Sequence, residues 1–378
     1  MNAILSFLLM RRPGSGRQLT VCFALLLAGI SCSTPAFAQS TGAVFVNGNS
    51  ASNEVWMYSR GTTGLLSFVG SFATQGNGGG GLGSQGGVVL ASSNRLLYAV
   101  DAGSNEISGF KVTRNGLQFV SKVGSGGTFP NSLAVSGTLL YVLNAQGTAA
   151  NITGFRIQKN GTLQPVANST LPLSANLPKP AQVGFTPDGK TLIVTEINTN
   201  NIDTYVVGKD GRATGPTVQA SAGAGPFGFA SDAAGHLIVS EVGLSSASSY
   251  SISRGLLHVI TGALLDFGKA ACWVVNTNDP NLPQQYSYVT NTGADTVSGF
   301  AIAADGSISL LDPNGKTAIL AHGAKPLDMA ISSDSKFLYV LEESVPAIGA
   351  FQIATDGSLT QIQDLPGIPA TSYGMIGY

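Results

Sequence analysis

The sequence predicts an all-β chain folded as a seven-bladed β-propeller, closed by its C-terminal strand joining blade one. Three observations predict it: a six-residue apolar motif that recurs along the chain, Asn-Gly and Asp-Gly turns at matching offsets within each recurrence, and no sustained helical periodicity after residue 39.

The recurring motif is seen in Leu96-Leu97-Tyr98-Ala99-Val100-Asp101 and Leu139-Leu140-Tyr141-Val142-Leu143-Asn144, and again at 191–196, 236–241, 286–291 and 337–342. A degenerate first copy runs from Ala43 to Asn47. Anchors at 45, 98, 141, 193, 238, 288 and 339 lie about 49 residues apart, which is the spacing of propeller blades. Each copy divides into four strands, here A to D. Strand A is apolar and often opened by proline, as in Pro180–Phe185 and Pro226–Phe229. Strand B is the motif itself. Strand C alternates, as in 107–112 and 297–302, and strand D is weaker, as an outer edge should be.

The turns agree with this division. Asp188-Gly189, Ser136-Gly137 and Ala234-Gly235 separate A from B, and Asn115-Gly116, Asn160-Gly161, Asp210-Gly211, Asp305-Gly306 and Asp356-Gly357 separate C from D. Such pairs supply the positive φ of tight hairpins. Ahead of Phe45 there is no room for a strand A, while a spare strand reads from Pro369 to Ile376. Placing it inside blade one completes seven blades and removes an exposed edge. The division is then a leader, 1–38, and one propeller domain, 39–378.

The leader is read from Arg11, Arg12 and Arg17, an apolar run from Leu19 to Ile30, and Ala36-Phe37-Ala38. These are the basic, apolar and small-residue parts of a signal peptide cut after Ala38, so the expected location is periplasmic or secreted, with no membrane span after cleavage. Charged residues make up only 10% of the 378, against roughly 25% in an average domain, and the formal net charge is -1. That excludes the electrostatic footprint of a nucleic-acid binder. Cleavage removes the three leader arginines and leaves Cys272 alone, so packing holds the fold without disulfides or a cysteine-based zinc site. A monomer without cofactor or metal is expected.

The stretch P-x-x-x-x-F-T-P-D-G-K-x-L-x-V-T-E-x-x-x-N-x-I-D-T-Y at 180–205 resembles the seven-bladed lactonase family, which groups 6-phosphogluconolactonase-like and carboxymuconate-cyclase-like propellers. Pro226–Phe229 with Ser240-Glu241, and Ala271-Cys272-Trp273, resemble its exported bacterial branch. The resemblance covers nearly all of 41–378. It implies a reaction site in the central channel built from a histidine, a carboxylate and arginines. The family's histidine, two residues after the strand-A proline, falls here on Gln182, with Ser132, Gly228 and Asp328 in other blades. The chain departs from the family at each of these positions.

Propeller geometry puts the D–A and B–C connections on one face. Strand-B ends then ring that face with Asp101, Asn144, Glu196, Glu241, Asn291 and Glu342, joined by Lys179, Lys269, His322, Lys325, Gln182 and Asp328. The six arginines beyond the leader lie elsewhere, which argues against a phosphorylated lactone because bidentate anchoring is lost. Glu196 and Glu241 occupy equivalent positions in adjacent blades. Converging, they would raise one pKa and supply a base for water attacking a lactone carbonyl; otherwise they bond neighbouring backbone N–H groups. His322 is the third acid–base candidate, or a solvated loop residue. Gln182, Lys179, Asp101, Phe227 and Trp273 are the substrate-binding candidates, although aromatics on inner strands also simply fill core. An oxygen-ligand cation site from Asp101, Glu196 and Glu241 has no motif behind it. The glycine run 76–83 reads as a D–A loop or lid and not as a dinucleotide fingerprint, since no helix follows. Cys272, beside the axis, reads as buried and inert.

The expected activity is hydrolysis or closure of a lactone in the channel, by a carboxylic-ester hydrolase or a muconate-type cycloisomerase. The rival is a propeller that binds a small molecule or a protein without catalysis, and glutamates saturated by backbone donors would favour it.

Overall fold

The computed structural model describes residues 41–378 except Thr148; the predicted leader and its cleavage site lie outside the described residues. Seven antiparallel sheets of four or five strands follow one another, and in all but the first the chain runs from strand A outward. Among the described residues there is no helix.

Blade 1 shows how the ring closes. Its strands B, C and D are Gly42–Asn47, Glu54–Arg60 and Leu66–Ala73, and its strand A is Met375–Gly377 from the far end of the chain. The register pairs Val44 with Gly377, Phe45 with Ile376 and Val46 with Met375. The inner strand is shorter than the stretch 369–376 read from the sequence. Pro369 opens a turn closed by Ser372 N–H, and Gly374 at φ 93 redirects the chain into the ladder.

Strands A and B of blade 2 are Val88–Ala91 and Leu96–Asp101, those of blade 3 Thr128–Ser136 and Leu139–Gln146, and those of blade 4 Pro180–Phe185 and Thr191–Glu196. Blade 5 has Pro226–Ser231 and Leu237–Glu241, blade 6 Ala271–Asn276 and Gln285–Asn291, and blade 7 Pro326–Ile331 and Phe337–Glu342. Strand B is buried on both faces because each face lies against a neighbouring blade, which is why the motif is an unbroken apolar run and not an alternation.

The tyrosine in the middle of that motif does more than fill space. Tyr98, Tyr141, Tyr288 and Tyr339 are fully buried, and each hydroxyl donates to a glycine carbonyl in the C–D turn of the next blade. The acceptors are Gly161, Gly211, Gly357 and Gly64, at 2.8–2.9 Å. Blades 4 and 5 carry Ile193 and Ile238 there; the seam between these two blades is closed instead by Thr204 Oγ1 donating to Gly255 O at 2.5 Å. Tyr339 joins blade 7 to blade 1 and so belongs to the closure.

Tyr339→Phe leaves the Gly64 carbonyl buried without its donor. The expected cost is about 1–3 kcal/mol, read as a lower urea midpoint at unchanged m. An unchanged midpoint would show that the latch contributes nothing to closure.

Candidate functional site

The channel is lined by the A strands, and their opening residues depart from regular pairing. Register shifts fall at Pro130/Ser132, Pro180/Gln182, Pro226/Phe229, Ala271/Val274 and Pro326/Met329. Proline brings no donor, and the N–H groups beyond the shift must find partners because buried backbone donors are almost always bonded. Those partners come from other blades. Ser132 Oγ accepts from Val183 N (3.1 Å), Gln182 Oε1 from Phe229 N (2.6 Å), and Asp328 Oδ2 from Met375 N (3.0 Å). Ser132, Gln182 and Asp328 are the residues two after the strand-A proline, so in this chain that position serves as a bracket between consecutive blades.

Blade 5 has Gly228 at this position, and the segment 84–86 takes over. Gln85 reaches across the channel: Oε1 accepts from Val274 N (3.0 Å) and Nε2 donates to Val274 O (2.7 Å). Gln182 grips Phe229 in the same two-bond manner, with Nε2 donating to Phe229 O at 3.0 Å. A Cβ at Gly228 would stand 2.4 Å from Gln85 Oε1, so glycine makes room for the crossing side chain. Further bonds fix the segment. Gln85 N donates to Ala181 O, Ser84 Oγ to Asn131 O, Trp273 Nε1 to Ser84 O, and Leu133 N to Gly86 O. Residues 84–86 therefore plug the channel at the D–A mouth. The glycine run before them, read as a possible lid, is pinned by Gly78 N to Ser50 O and Gly79 N to Asn49 Oδ1.

Beyond the plug the channel holds a cavity of ≈ 630 Å³. Its lining includes Gln85, Gln182, Val275, Asp328 and Met375, and it reaches Asn94, Gly137 and Pro187 in A–B turns, so it opens on the face opposite the predicted ring of carboxylates. Asp328 is the one ionisable side chain among its described lining residues. The Asp328 carboxyl accepts from Met329 N (2.9 Å), Met375 N and Gly86 N, yet burial outweighs these donors and pushes its pKa up to about 7.

The structure separates the candidate residues into three groups. Gln182, Phe227 and Trp273 gather at the plug, where the two aromatic rings meet edge to face at 4.9 Å and are almost fully buried. Asp101, Glu196 and Glu241 are buried at the ends of their B strands. Glu196 accepts from Ser174 N (3.0 Å), Ser174 Oγ and Thr199 Oγ1 (2.5 Å). Glu241 accepts from Gly223 N (2.9 Å), Ser221 Oγ, Ser246 Oγ and Ser248 Oγ. Asp101 accepts from Asn53 Nδ2, Thr74 Oγ1 and Ser108 Oγ. Asp101 and Glu241 thus tie a D–A loop to strand C, Glu196 ties its D–A loop to the B–C turn at Thr199, and no hydrogen bond joins Glu196 to Glu241. At Gly223 a Cβ would lie 2.2 Å from Glu241 Oε2, which shows how closely the loop is drawn onto the carboxylate. The third group is on loops: His322 is fully exposed with Nδ1 3.8 Å from Asp295, and exposed Lys179 borders a separate depression beside Leu177 and Gly81. Cys272 is buried and free, its thiol pushed up to about 11 by burial. Among the described residues no group of three or more His, Cys, Asp or Glu is arranged around a metal-sized space.

Two residues outside the catalytic and substrate-binding candidates gain importance in the structure. Asp328 was legible as a channel residue, but its burial depends on the plug. Gln85 lies outside the repeat and carries no signal at all.

Buried carboxyls set the pH response. Asp203, beside Glu196, is raised well above the usual carboxylate range by burial and by that neighbouring carboxylate; Glu342 is raised to about 7 by burial, with one oxygen unpartnered because strand C of blade 7 offers Ala347 and Gly349 in place of hydroxyls. With Asp328 these groups hold protons in the folded chain that the unfolded chain releases near pH 4. The unfolded state then binds fewer protons, so stability is greatest below about pH 4 as far as these groups decide it, and falls as pH rises towards 8. The urea midpoint should therefore be lower at pH 8 than at pH 5. Asp203→Asn, which keeps an acceptor for Ser174 N (2.9 Å), should flatten that fall. An equal slope in the variant would remove Asp203 from the account.

Comparison with known proteins agrees with the geometry. The family profile described as Lactonase, 7-bladed beta-propeller matches residues 36–174, 88–235 and 279–376. A candidate 6-phosphogluconolactonase from Bacteroides fragilis superposes with a TM-score of 0.70 at 19% identity, over 91% of this chain and 100% of its own. The periplasmic gluconolactonase of Pseudomonas aeruginosa gives 0.68 at 16% identity, over 88% and 98%. At such identities these likenesses concern the fold. No curated protein sequence matches the chain. The profile spans well over half of the sequence, and the chain belongs to the lactonase family of seven-bladed β-propellers.

Proposed function

We propose that this protein is an exported lactonase-like propeller that hydrolyses, or in reverse closes, an uncharged ring ester in the central cavity, with Asp328 as its acid–base group. The observation that carries the reading is a buried carboxyl with a pKa of about 7 on the wall of a cavity sized for a small molecule. Near neutral pH such a group is partly ionised and can both take and return a proton. In hydrolysis, Asp328 accepts a proton as water attacks the ring carbonyl, then delivers it to the departing ring oxygen, giving the hydroxy acid. Gln85 and Gln182 each spend one Nε2 proton on a backbone carbonyl and have a second to orient the ester. With no lysine, arginine or histidine among the described lining residues, a phosphorylated or carboxylated substrate would lack a counter-charge. The apolar leader sequence supports export.

The second reading, a propeller that binds without catalysis, is favoured by the saturation of Glu196 and Glu241. Acid release from a panel of unphosphorylated lactones, followed by pH-stat, separates the two. Turnover should rise as pH passes about 7, and Asp328→Asn should lower it by about 10²-fold or more. Retained turnover in Asp328→Asn together with loss in Glu196→Gln would move the site to blade 4. No turnover on any lactone would favour binding.

A further inference from the structure

The hairpin turns on the A–B and C–D face are built alike but not charged alike. In blades 4, 6 and 7 the C–D turns use Asp210, Asp305 and Asp356, whose Oδ1 accepts the backbone N–H two residues on, at 3.0–3.1 Å. In blade 3 the same bond is made by a neutral amide: Asn160 Oδ1 accepts from Thr162 N at 3.1 Å. Blade 2 has Asn115 at this point. The A–B turns repeat the contrast. Blades 4, 5 and 7 carry Asp188, Asp232 and Asp334, whereas blades 2 and 3 carry 92–94 and Ser136-Gly137 without a carboxylate.

The consequence appears in the cations. Lys190, Arg212 and Lys336 each pair with the aspartate of their own turn, at 3.4, 2.6 and 3.8 Å. Arg95, Lys111 and Lys159, from blades 2 and 3, make no ion pair among the described residues; Arg95 donates only to Ser92 O, at 3.1 Å. All three line one open groove of ≈ 550 Å³ between the blades, and no acidic side chain lines it. In a chain of net charge -1 this concentration is not a by-product of overall basicity. The rest of the lining combines the amides of Gln118 and Gln158 and the hydroxyls of Ser92, Thr113 and Thr138 with the aliphatic side chains of Leu96, Val112 and Ile157, on which the C–H face of a sugar ring can rest, and has no aromatic ring on which a base could stack.

We infer that this groove is a binding site for an anionic carbohydrate, a chain carrying carboxylates along a hydroxyl-rich backbone. The cations match the carboxylates and the amides match the hydroxyls. Asparagine in place of aspartate keeps the turns closed without placing a repelling charge at the rim. The site is separate from the cavity chemistry, shares no residue with the cavity lining, and stands or falls independently of it.

The test is titration of the protein with oligogalacturonate at low ionic strength, with neutral dextran and oligo-glutamate as comparators. Binding should favour oligogalacturonate and weaken steeply with added salt. Lys111→Gln with Lys159→Gln should lower affinity by about tenfold or more, and Asn160→Asp, which preserves the turn acceptor, by several-fold at an unchanged Tm. No binding of oligogalacturonate, equal binding of dextran, tighter binding of oligo-glutamate, or full affinity in the double lysine variant would each overturn the proposal.

Discussion

The structure depends on how its innermost backbone donors are satisfied. The A strands converge on an axis where regular pairing ends, and in five of them a register break leaves buried N–H groups without ladder partners. The chain meets this with side chains from neighbouring blades: Ser132 to Val183, Gln182 to Phe229, Asp328 to Met375. Each bracket binds a residue to the blade after it, so satisfying the backbone and closing the ring are one event. The tyrosine latches repeat the logic farther out, from Tyr98 to Gly161 and onward to Tyr339 and Gly64.

That constraint also shapes the cavity. Where Gly228 leaves a bracket missing, Gln85 crosses to Val274 and carries residues 84–86 into the channel. The D–A mouth is thereby filled and the remaining space opens on the opposite face. Asp328, held by three backbone donors beneath the plug, loses enough water to remain protonated near neutral pH. A structural bracket and a chemically poised carboxyl are here the same residue.

The carboxylates at the ends of strand B have a different task. Asp101 and Glu241 draw a D–A loop and strand C together, Glu196 draws its D–A loop onto the B–C turn, and Asn144 and Asn291 bond strand C from the same position with amides. Interchange of carboxylate and amide across the blades fits a loop fastener more readily than a reaction centre. Glu342 shows the cost of incomplete fastening: without hydroxyls at 347 and 349 its carboxyl keeps an unpartnered oxygen and a raised pKa.

The sequence by itself determined the architecture. A repeat of about 49 residues, apolar runs too short to be helices and glycine turns at fixed offsets leave few alternatives to a seven-bladed ring, and the spare C-terminal strand indicated its closure. It also identified the strand-B ends and the bracket position, because both sit at constant places in the repeat. The tertiary structure alone decided what those residues do. Hydrogen-bond partners 47 to 189 residues apart, such as Gln182 with Phe229 and Gln85 with Val274, leave no local trace. Whether a carboxylate faces a cavity or a row of hydroxyls is fixed by packing between blades. The turn charges were legible one by one, but the groove they leave open exists only where blade 2 meets blade 3.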